Sequence, residues 1–364
     1  MTIPLYRPFV SNEVKTKMLD ILDSRWFGYG KMSMYLEQKL VDAWGGFSLA
    51  TNSCTSALYL VAETIKKTDT DEVIIPAITF VSTGMAFLNA GYKVVVADVD
   101  KNGIMNIEAV KKLITDKTRA IVPVHLYGQK VDLCNYRKLC DEKEIYLVED
   151  CAHRIGYYDT IRYGDFACFS FNTMKELPSG EGGAVWGKEL CYEKKLREVA
   201  NVGLGENTYQ RTSSVKHSNY VFGTNIGLKY MQNDIIAAMT VAQFDAYRDN
   251  IDKRKSIARS YDDILKTKEY AELIDRQDDD SFLMYVVKIK KDKTQSFRSF
   301  LADHGVATSH HYPSLAQHPL FEERIECNVS NSMQYELVSL PCYVDMKEEE
   351  KKYILSVIND YGCD

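Results

Sequence analysis

The sequence predicts an α/β fold in which a mostly parallel central sheet is followed by a smaller C-terminal α+β domain. Between residues 47 and 150, short apolar runs rich in Val and Ile alternate with stretches of helical spacing. Beyond residue 230, a long helical pattern leads into further apolar runs of mixed spacing. We therefore place a large domain, including the N-terminal segment, at residues 1–240 and a small domain with its connecting helix at residues 241–364.

Five apolar runs in the large domain predict the strands of the central sheet. The runs are SLATN, EVIIPAI, YKVVVADVD, RAIVPVHL and EIYLVED, and helical stretches beginning TSALYLV, VSTGMAF, IEAVKKL and LCNYRKL lie between them. This alternation is typical of β-α-β units whose sheet is covered on both faces. Ligands of such sheets bind beyond the carboxyl ends of the strands. We therefore expect a site among residues 51–56, 77–80, 125–129 and 150–153.

The pattern changes after the glycine cluster GEGG at residues 180–183. Residues 203–230 are polar and irregular and predict a long loop. Residues 231–265 then have apolar side chains at helical spacing for many turns and predict one long connecting helix. The segments FLMYVVKIK, FRSFLADHG, VATSHHY and KKYILSVIND predict the mixed elements of the small domain.

Composition limits the class of protein. The chain has 364 residues, of which 45% are hydrophobic, and this is enough to bury a full-sized core. The net charge is only -6, and scattered Lys and Arg residues argue against a nucleic-acid or membrane partner. Nine cysteines, an odd number without a CxxC pair, suit a reducing compartment. With no signal-like N-terminus and no long apolar run, we expect a cytoplasmic protein without a metal site.

An aspartate and a lysine carry the chemistry predicted for this site. Asp150 ends the run EIYLVED, and Lys175 follows a second apolar run, FACFSF, after a hairpin-like stretch at residues 156–165. Alone, such an aspartate is often only a helix cap or turn residue, and most lysines are solvated. Together they fit pyridoxal phosphate, which needs an amine for a Schiff base, a carboxylate beside the pyridine nitrogen and donors for its phosphate.

Several longer segments match one family over nearly the whole chain. They are IPLYRP at 3–8, SRWFGYG at 24–30, TNSCTSAL at 51–58, EVIIPAITFVST at 72–83, VPVHLYGQ at 122–129, VEDCAH at 148–153, GDFACFSFNTMKELPSGEGGA at 164–184, VATSHHYPS at 306–314 and SLP at 339–341. With these segments the chain resembles the DegT/StrS-type nucleotide-sugar aminotransferases. This is a branch of the aspartate aminotransferase fold, fold type I of the pyridoxal phosphate enzymes.

The resemblance implies a role for each matching residue. Lys175 matches the Schiff-base lysine, which also moves the substrate proton, and Asp150 matches the carboxylate facing the pyridine nitrogen. The other implied cofactor contacts are ring stacking by Phe80, a position near the phenolic oxygen for His153, and phosphate binding by Thr55, Ser56 and Ser170. From the residues alone, Thr55 is equally an N-cap, Phe80 a core residue and His153 a half-buried histidine without a catalytic task.

One segment departs from the family pattern. Relatives have a sequence such as GYNYRM before the long helix, and its Asn reaches the cofactor phosphate of the neighbouring subunit. In this chain the segment is GLKYMQNDIIAA, which places Lys229 at that position and Asn225 four residues earlier. The resemblance implies a homodimer with active sites at the subunit interface, and Lys229 as a contact across it. A solvated loop lysine is the alternative.

The resemblance also implies the substrates. L-Glutamate would leave as 2-oxoglutarate, with pyridoxamine phosphate as the intermediate form of the cofactor, and the amine would pass to a keto sugar nucleotide. The form MQNDIIAA resembles members that aminate carbon 4, which favours dTDP-4-keto-6-deoxyglucose, with GDP- or UDP-linked keto sugars as alternatives. Basic and aromatic residues in the terminal segments are the expected substrate contacts. They are Arg7, Arg25, Trp26, Tyr29, His311 and Tyr312.

Other functions of the same fold remain open from the sequence. A relative that aminates carbon 3 would use the same machinery. A sugar dehydratase or lyase of this family carries His in place of the lysine, and Lys175 argues against it. A desulfurase needs a mobile catalytic cysteine, and no cysteine lies in an obvious glycine-rich loop. A non-catalytic sensor would not need Asp150, Lys175 and the phosphate residues together.

Overall fold

The computed structural model describes residues 1–159, 162–212 and 220–362. Within these residues the chain forms a seven-stranded mixed sheet and a three-stranded antiparallel sheet, which confirms the predicted fold class. The helices are α1 (Asn12–Ser24), α2 (Lys31–Trp44), α3 (Cys54–Ile65), α4 (Ser82–Asn89), α5 (Ile107–Leu113), α6 (Cys134–Lys143), α7 (Glu193–Ala200), α8 (Thr208–Thr212), α9 (Asp234–Gln243), α10 (Tyr247–Leu265), α11 (Lys291–Asp303), α12 (Asn328–Met333) and α13 (Glu348–Asp360). The strands are β1 (Phe47–Thr51), β2 (Glu72–Pro76), β3 (Lys93–Ala97), β4 (Thr118–Ile121), β5 (Tyr146–Cys151), β6 (Phe166–Ser170), β7 (Gly183–Gly187), β8 (Ala271–Leu273), β9 (Tyr285–Ile289) and β10 (Leu337–Leu340).

The large sheet has the strand order β1-β7-β6-β5-β4-β2-β3. β7 is antiparallel to both of its neighbours, whereas β6, β5, β4, β2 and β3 pair in parallel. The prediction of a hairpin-like stretch at residues 156–165 is wrong, because this segment joins β5 to β6, which pair in parallel. Such a connection must return from the carboxyl end of the first strand to the amino end of the second. The carboxyl ends of the parallel strands therefore meet at one edge.

The sheet is buried on both faces, as its near-continuous apolar runs predict. Alternate residues of β6 belong to different hydrophobic clusters: Phe166 and Cys168 pack with α3 on one face. Ala167 and Phe169 pack with α2 and α9 on the other. α3 begins at the N-cap Ser53, whose side chain accepts a hydrogen bond from the amide of Ser56. The helices on the two faces thus hold the sheet, and with it the position of the carboxyl ends of its strands.

A second hydrophobic core surrounds the small antiparallel sheet, whose strand order is β10-β9-β8. α10, α11 and α13 contribute Tyr261, Phe297 and Ile354 to this core. Ile3 from the N-terminal segment packs in the same cluster and forms a parallel bridge with Val306. The N-terminal segment thus contacts the small domain, and the domain boundary at residues 240–241 stays a prediction.

The connecting segment differs from the single helix predicted at residues 231–265. α9 and α10 are separated by a short 3₁₀ turn at Phe244–Ala246. Phe244 and Tyr247 still pack on the large-domain core, whereas Ile257 and Tyr261 lie in the small-domain core. The turn interrupts the helical periodicity between the part that packs on the large domain and the part that packs on the small domain. Residue spacing alone did not predict this interruption. The predicted loop at residues 203–230 also contains the short helix α8.

None of the helices in the described ranges is long and apolar enough to cross a membrane.

Candidate active site

A cavity of about 320 Å³ lies at the carboxyl ends of the parallel strands. We call it the Lys175 cavity. Residues following β1 and β2 and the ends of β5 and β6 form its walls, as expected for ligand sites in such sheets. Residues 306–314 close it from the small-domain side through His311 and Tyr312. The predicted residues that it brings together are Thr55, Phe80, Asp150, His153, Ser170, Lys175, His311 and Tyr312.

Lys175 lies on the connection between the antiparallel strands β6 and β7. This connection extends the hairpin, because the amide of Phe171 donates to the carbonyl of Gly182 at 2.8 Å, and that of Thr173 donates to Gly180 at 2.8 Å. The Nζ atom of Lys175 has no hydrogen-bond partner in the described part of the chain. Burial lowers the pKa of the amine to about 8, against the opposing effect of nearby negative groups such as Asp150. The site thus holds an amine that is partly neutral near pH 8.

Asp150 is buried at the end of β5. Its carboxylate accepts hydrogen bonds from the amide of Ala152 at 3.0 Å and from the hydroxyl of Thr83 at 2.8 Å. Burial raises the pKa of Asp150, while these two bonds and the charge of Lys175 oppose that rise. Thr83 is not among the residues predicted for the site. Its signal is the spacing Thr79-x-x-x-Thr83 after β2, which brings the two hydroxyls within 3.0 Å.

The N-terminus of α3 faces the same cavity. Ser53, Cys54 and Thr55 line the cavity, and the first amides of a helix have no carbonyl partner within it. Gly183 allows this approach, because a Cβ there would lie 2.4 Å from the carbonyl carbon of Ser53. Together with Ser170 at the end of β6, this terminus offers the amide and hydroxyl donors of an anion site.

Ser56, predicted as a phosphate contact, is directed differently. It is buried in the first turn of α3, and its hydroxyl donates to the side-chain oxygen of Asn52. Its amide donates to the hydroxyl of Ser53 at 3.1 Å. Both groups therefore serve the helix cap together with the hydroxyl of Ser53, and Thr55 is the hydroxyl residue of this turn that lines the cavity without a cap bond.

An aromatic group forms the opposite wall. The side chain of Phe80 is 54% exposed, and its ring centroid lies 5.9 Å from that of Tyr312. The ring of His153 stacks against Tyr312 with centroids 6.0 Å apart, and burial lowers the pKa of His153 well below its ordinary value. Burial and the charge of Lys175 lower the pKa of His311 to about 4. Both histidines are therefore neutral at pH 7, and Phe80 leaves an apolar face open to a planar ligand.

The remaining predicted residues lie outside the Lys175 cavity. Arg7 pairs with Glu350 at 2.7 Å and lies over the ring of Tyr343 in the small domain. Arg25 is exposed just after α1. Trp26, Tyr29 and Lys229 line a second cavity, of about 450 Å³, which we call the Trp26 cavity.

Lys229 and Asn225 both have partners within their own chain. The Nζ atom of Lys229 donates to the side-chain oxygen of Asn201 at 2.8 Å. The amide group of Asn225 donates to Glu198 at 2.6 Å. Neither residue lines the Lys175 cavity, so any contact with the cofactor phosphate must come from another copy of the chain.

A group of potential metal ligands, His125, Glu149 and Cys151, lies behind the site. Arg162 already supplies a cation there: its guanidinium donates to Glu149 at 3.0 Å and to the sulfur of Cys151 at 3.3 Å. Hydrogen bonding from His125 and the charge of Arg162 lower the pKa of Glu149 to about 2 in spite of burial. The group is a buried ion-pair cluster that supports β5.

The residues of the Lys175 cavity fit the requirements of pyridoxal phosphate. Lys175 is an amine of lowered pKa, and Asp150 is an oriented carboxylate. The N-terminus of α3 can hold a phosphate, and Phe80 can cover an aromatic ring. Such a set can bind the cofactor covalently, keep its pyridine nitrogen protonated and move protons beside it.

Comparison with known proteins agrees with this geometry. A family model described as the DegT/DnrJ/EryC1/StrS aminotransferase family matches residues 9–359. GDP-perosamine synthase of Vibrio cholerae is 27% identical over 379 residues, covering 99% of this chain and 99% of that protein. UDP-4-amino-4,6-dideoxy-N-acetyl-beta-L-altrosamine transaminase of Helicobacter pylori is 26% identical over 362 residues, covering 95% of this chain and 94% of that protein.

Solved structures share the fold over the whole chain. Spr1654 of Streptococcus pneumoniae in its PMP-form matches with a TM-score of 0.89 and 22% identity, covering 98% of this chain and 98% of that one. The PLP-form of Spr1654 matches with a TM-score of 0.87. That protein has therefore been solved in both a PMP-form and a PLP-form.

Proposed function

We propose, since the chain belongs to the DegT/DnrJ/EryC1/StrS aminotransferase family, that it moves the amino group of L-glutamate to carbon 4 of a nucleotide-linked 4-keto-6-deoxyhexose. Family membership makes the chain a pyridoxal phosphate-dependent nucleotide-sugar aminotransferase. The proposal concerns the donor, the position of the new amine and the acceptor. The observation that carries the amino-transfer chemistry is an amine of lowered pKa, Lys175, in one cavity with the oriented carboxylate of Asp150.

The chain's own residues have separate tasks in this reaction. When bound, the cofactor supplies an electron sink that stabilises negative charge on the substrate carbon. Asp150 keeps the pyridine nitrogen protonated, with Thr83 and Ala152 fixing the carboxylate. Lys175 would be the residue that holds the cofactor covalently, and its neutral amine would move the proton at the substrate carbon. The amides at the start of α3 and the hydroxyl of Ser170 hold the phosphate.

Two observations support carbon 4 of the sugar. The segment MQNDIIAA at the start of α9 has the form found in members that aminate this carbon. The name of the Helicobacter pylori relative describes a 4-amino-4,6-dideoxy sugar. For the nucleotide we propose dTDP, with the GDP and UDP sugars named for the two relatives as competing acceptors.

We also propose that the enzyme works as a homodimer with active sites at the subunit interface. Residues 220–228 carry a row of exposed apolar side chains next to the Trp26 cavity, which contains Lys229. We call this row the 220–228 patch. Its members are Tyr220 (65% exposed), Val221 (50%), Phe222 (81%), Ile226 (96%) and Leu228 (52%). Exposed apolar surface of this kind marks protein interfaces, and a second copy would bring Lys229 towards the partner's phosphate site.

Spectroscopy with the holoenzyme tests the reaction class. Adding L-glutamate alone should convert the visible absorption of bound pyridoxal phosphate to that of the amine form, with one equivalent of 2-oxoglutarate released. A sensor would bind without conversion, and a dehydratase would release no 2-oxoglutarate. D-Glutamate is the matched control donor.

A panel of dTDP-, GDP- and UDP-linked keto sugars then tests the acceptor. Mass spectrometry should detect the amino sugar, and NMR should place the amine on carbon 4. Amination of a 3-keto sugar in preference to its 4-keto isomer would contradict the assigned position while leaving the aminotransferase activity intact.

A further inference from the structure

Both ring nitrogens of His153 are occupied by protein groups. The backbone amide of Tyr127 donates to Nδ1 at 3.2 Å, and the hydroxyl oxygen of Tyr312 lies 3.2 Å from Nε2. Because an amide N–H can only donate, Nδ1 must keep its lone pair, and the ring proton must lie on Nε2. His153 therefore donates through Nε2 to the oxygen of Tyr312.

The doubly protonated form of His153 does not fit this arrangement. It would set an N–H group on Nδ1 against the N–H of Tyr127. Burial, together with the charges of Lys175 and His311, also lowers the pKa of His153 well below its ordinary value. The ring is neutral, and its tautomer is set by the backbone.

The backbone donor is itself fixed by a tight turn. Tyr127 has a left-handed conformation (φ 60°, ψ 4°), and Gly128 follows with φ 96°. A Cβ at Gly128 would lie 2.5 Å from the hydroxyl of Ser281 and 2.8 Å from the amide of Leu283, so the turn is closely packed. The Tyr127 hydroxyl donates to the carbonyl of His311 at 2.5 Å, which ties this turn to the residue before Tyr312.

The hydroxyl proton of Tyr312 is consequently available to a ligand. Its oxygen accepts from His153, and its own proton has no acceptor among the residues that the structure describes. Tyr312 lines the Lys175 cavity beside Phe80. Lys175 and Asp150 line the same cavity, so this hydroxyl shares it with the amine and the carboxylate.

We propose that Tyr312, and not His153, donates the hydrogen bond to the phenolic oxygen of the pyridoxal phosphate ring. His153 is then a positioning residue that turns the Tyr312 hydroxyl towards the ligand. The resemblance places the phenolic oxygen beside His153, whose two nitrogens are both in use, so the Tyr312 hydroxyl that His153 holds is the donor left for this oxygen. The inference rests on the cofactor placement of the proposed function, and it replaces the role that the family resemblance implies for His153.

The pH dependence of the holoenzyme spectrum tests this assignment. A hydrogen-bond donor draws negative charge away from the phenolic oxygen. The proton shared between this oxygen and the lysine nitrogen is then held less strongly. Tyr312→Phe should raise the pH midpoint of the visible absorption change by about one to two units, the effect of a hydrogen bond to a charged oxygen. His153 bonds the hydroxyl, the charge of Asp150 acts on it, and Lys175 and His311 act on His153; all four groups remain in this variant.

Two further variants distinguish the donor from its support. His153→Ala should shift the midpoint less than Tyr312→Phe, and the double variant should shift it no more than Tyr312→Phe alone. Tyr353→Phe, which removes a hydroxyl bonded to His304 on the surface, is the control and should leave the midpoint unchanged. A full shift in His153→Ala with none in Tyr312→Phe would overturn the inference. Failure to bind pyridoxal phosphate at all would overturn the cofactor assignment itself.

The tautomer can be measured without the cofactor. In the apoprotein with ¹⁵N-labelled histidine, the His153 signals, assigned by their loss in His153→Gln, should show a protonated Nε2 and an unprotonated Nδ1 between pH 6 and 8. A proton on Nδ1 would remove the basis of the inference, whatever the holoenzyme spectrum shows.

Discussion

The Lys175 cavity and the Trp26 cavity differ in how far one chain completes them. In the first, one chain supplies the amine, the oriented carboxylate of Asp150, the helix terminus and the aromatic wall. In the second, Trp26 and Lys229 lie beside the exposed 220–228 patch, and among the described residues the lysine amine bonds to Asn201. The covalent chemistry is therefore encoded within one subunit, whereas we infer that the Trp26 side is completed by a second.

The largest effect should come from removing the amine. Lys175→Ala should abolish steady-state turnover and leave pyridoxal phosphate bound only non-covalently, because no other described side chain in the Lys175 cavity offers an amine. Borohydride reduction followed by mass spectrometry checks the covalent link. Lys188→Ala is the matched control, because Lys188 follows the end of β7 that points away from the Lys175 loop. Near-normal turnover of Lys175→Ala would refute the assignment of the lysine.

Loss of the carboxylate charge should have the next largest effect. Asp150→Asn should still bind the cofactor but slow proton abstraction by several powers of ten, on the order of 4 kcal/mol in barrier. Single-turnover absorbance with L-glutamate measures this step directly. An undiminished rate would show that a protonated pyridine nitrogen is not needed, and would remove Asp150 from the chemistry.

A change in the 220–228 patch tests the other region. Ile226→Asp should weaken self-association by roughly thirtyfold, about 2 kcal/mol, because it places a charge in a desolvated apolar contact. Sedimentation at several concentrations measures the association, and activity should fall in parallel with the dimer fraction. Leu190→Asp, at an exposed apolar position of 64% exposure outside the patch, is the control. Full activity from a monomeric Ile226→Asp protein would show that one subunit suffices.

The lowered pKa of Lys175 predicts how apoprotein captures the cofactor. Only the neutral amine reacts, so the rate of covalent capture should rise about tenfold per pH unit below pH 8 and level off above it. An ordinary lysine would continue to gain rate up to about pH 10. Stopped-flow absorbance after mixing apoprotein with pyridoxal phosphate gives the profile, with Lys175→Ala as the blank. A rise that continues past pH 9.5 would show that the cavity does not lower this pKa.

The smallest effect should come from Lys229. Lys229→Met should raise the dissociation constant of the cofactor by about five- to tenfold, the value of one charge-assisted hydrogen bond to a phosphate. Equilibrium dialysis measures it. In the background of Ile226→Asp, the same substitution should change nothing, because Lys229 acts only from a neighbouring subunit. An equal effect in both backgrounds would place the lysine's role within its own chain.

Sequence patterns predicted that Asp150 and Lys175 converge, because strand ends of a parallel sheet must meet. Asp150 and Lys175 follow apolar runs that can only be buried strands, so their convergence follows from the topology. The direction of Ser56 did not follow, because it depends on the rotation of α3 set by the cap at Ser53. Arg7 was placed by resemblance alone, and its pairing with Glu350 joins two ends of the chain that no local pattern relates. Thr83 and Tyr127 act through contacts made only on folding.

The loop that carries Lys175 is anchored at both ends, by β6 before it and by the antiparallel strand β7 after it. Ser170 pairs with Gly183, and the loop between them is closed further by the bonds from Phe171 and Thr173. Because both ends of its loop are anchored in adjacent strands, we infer that Lys175 would stay beside the cavity while it is not bound to the cofactor, so that the amine would already lie where it must react again.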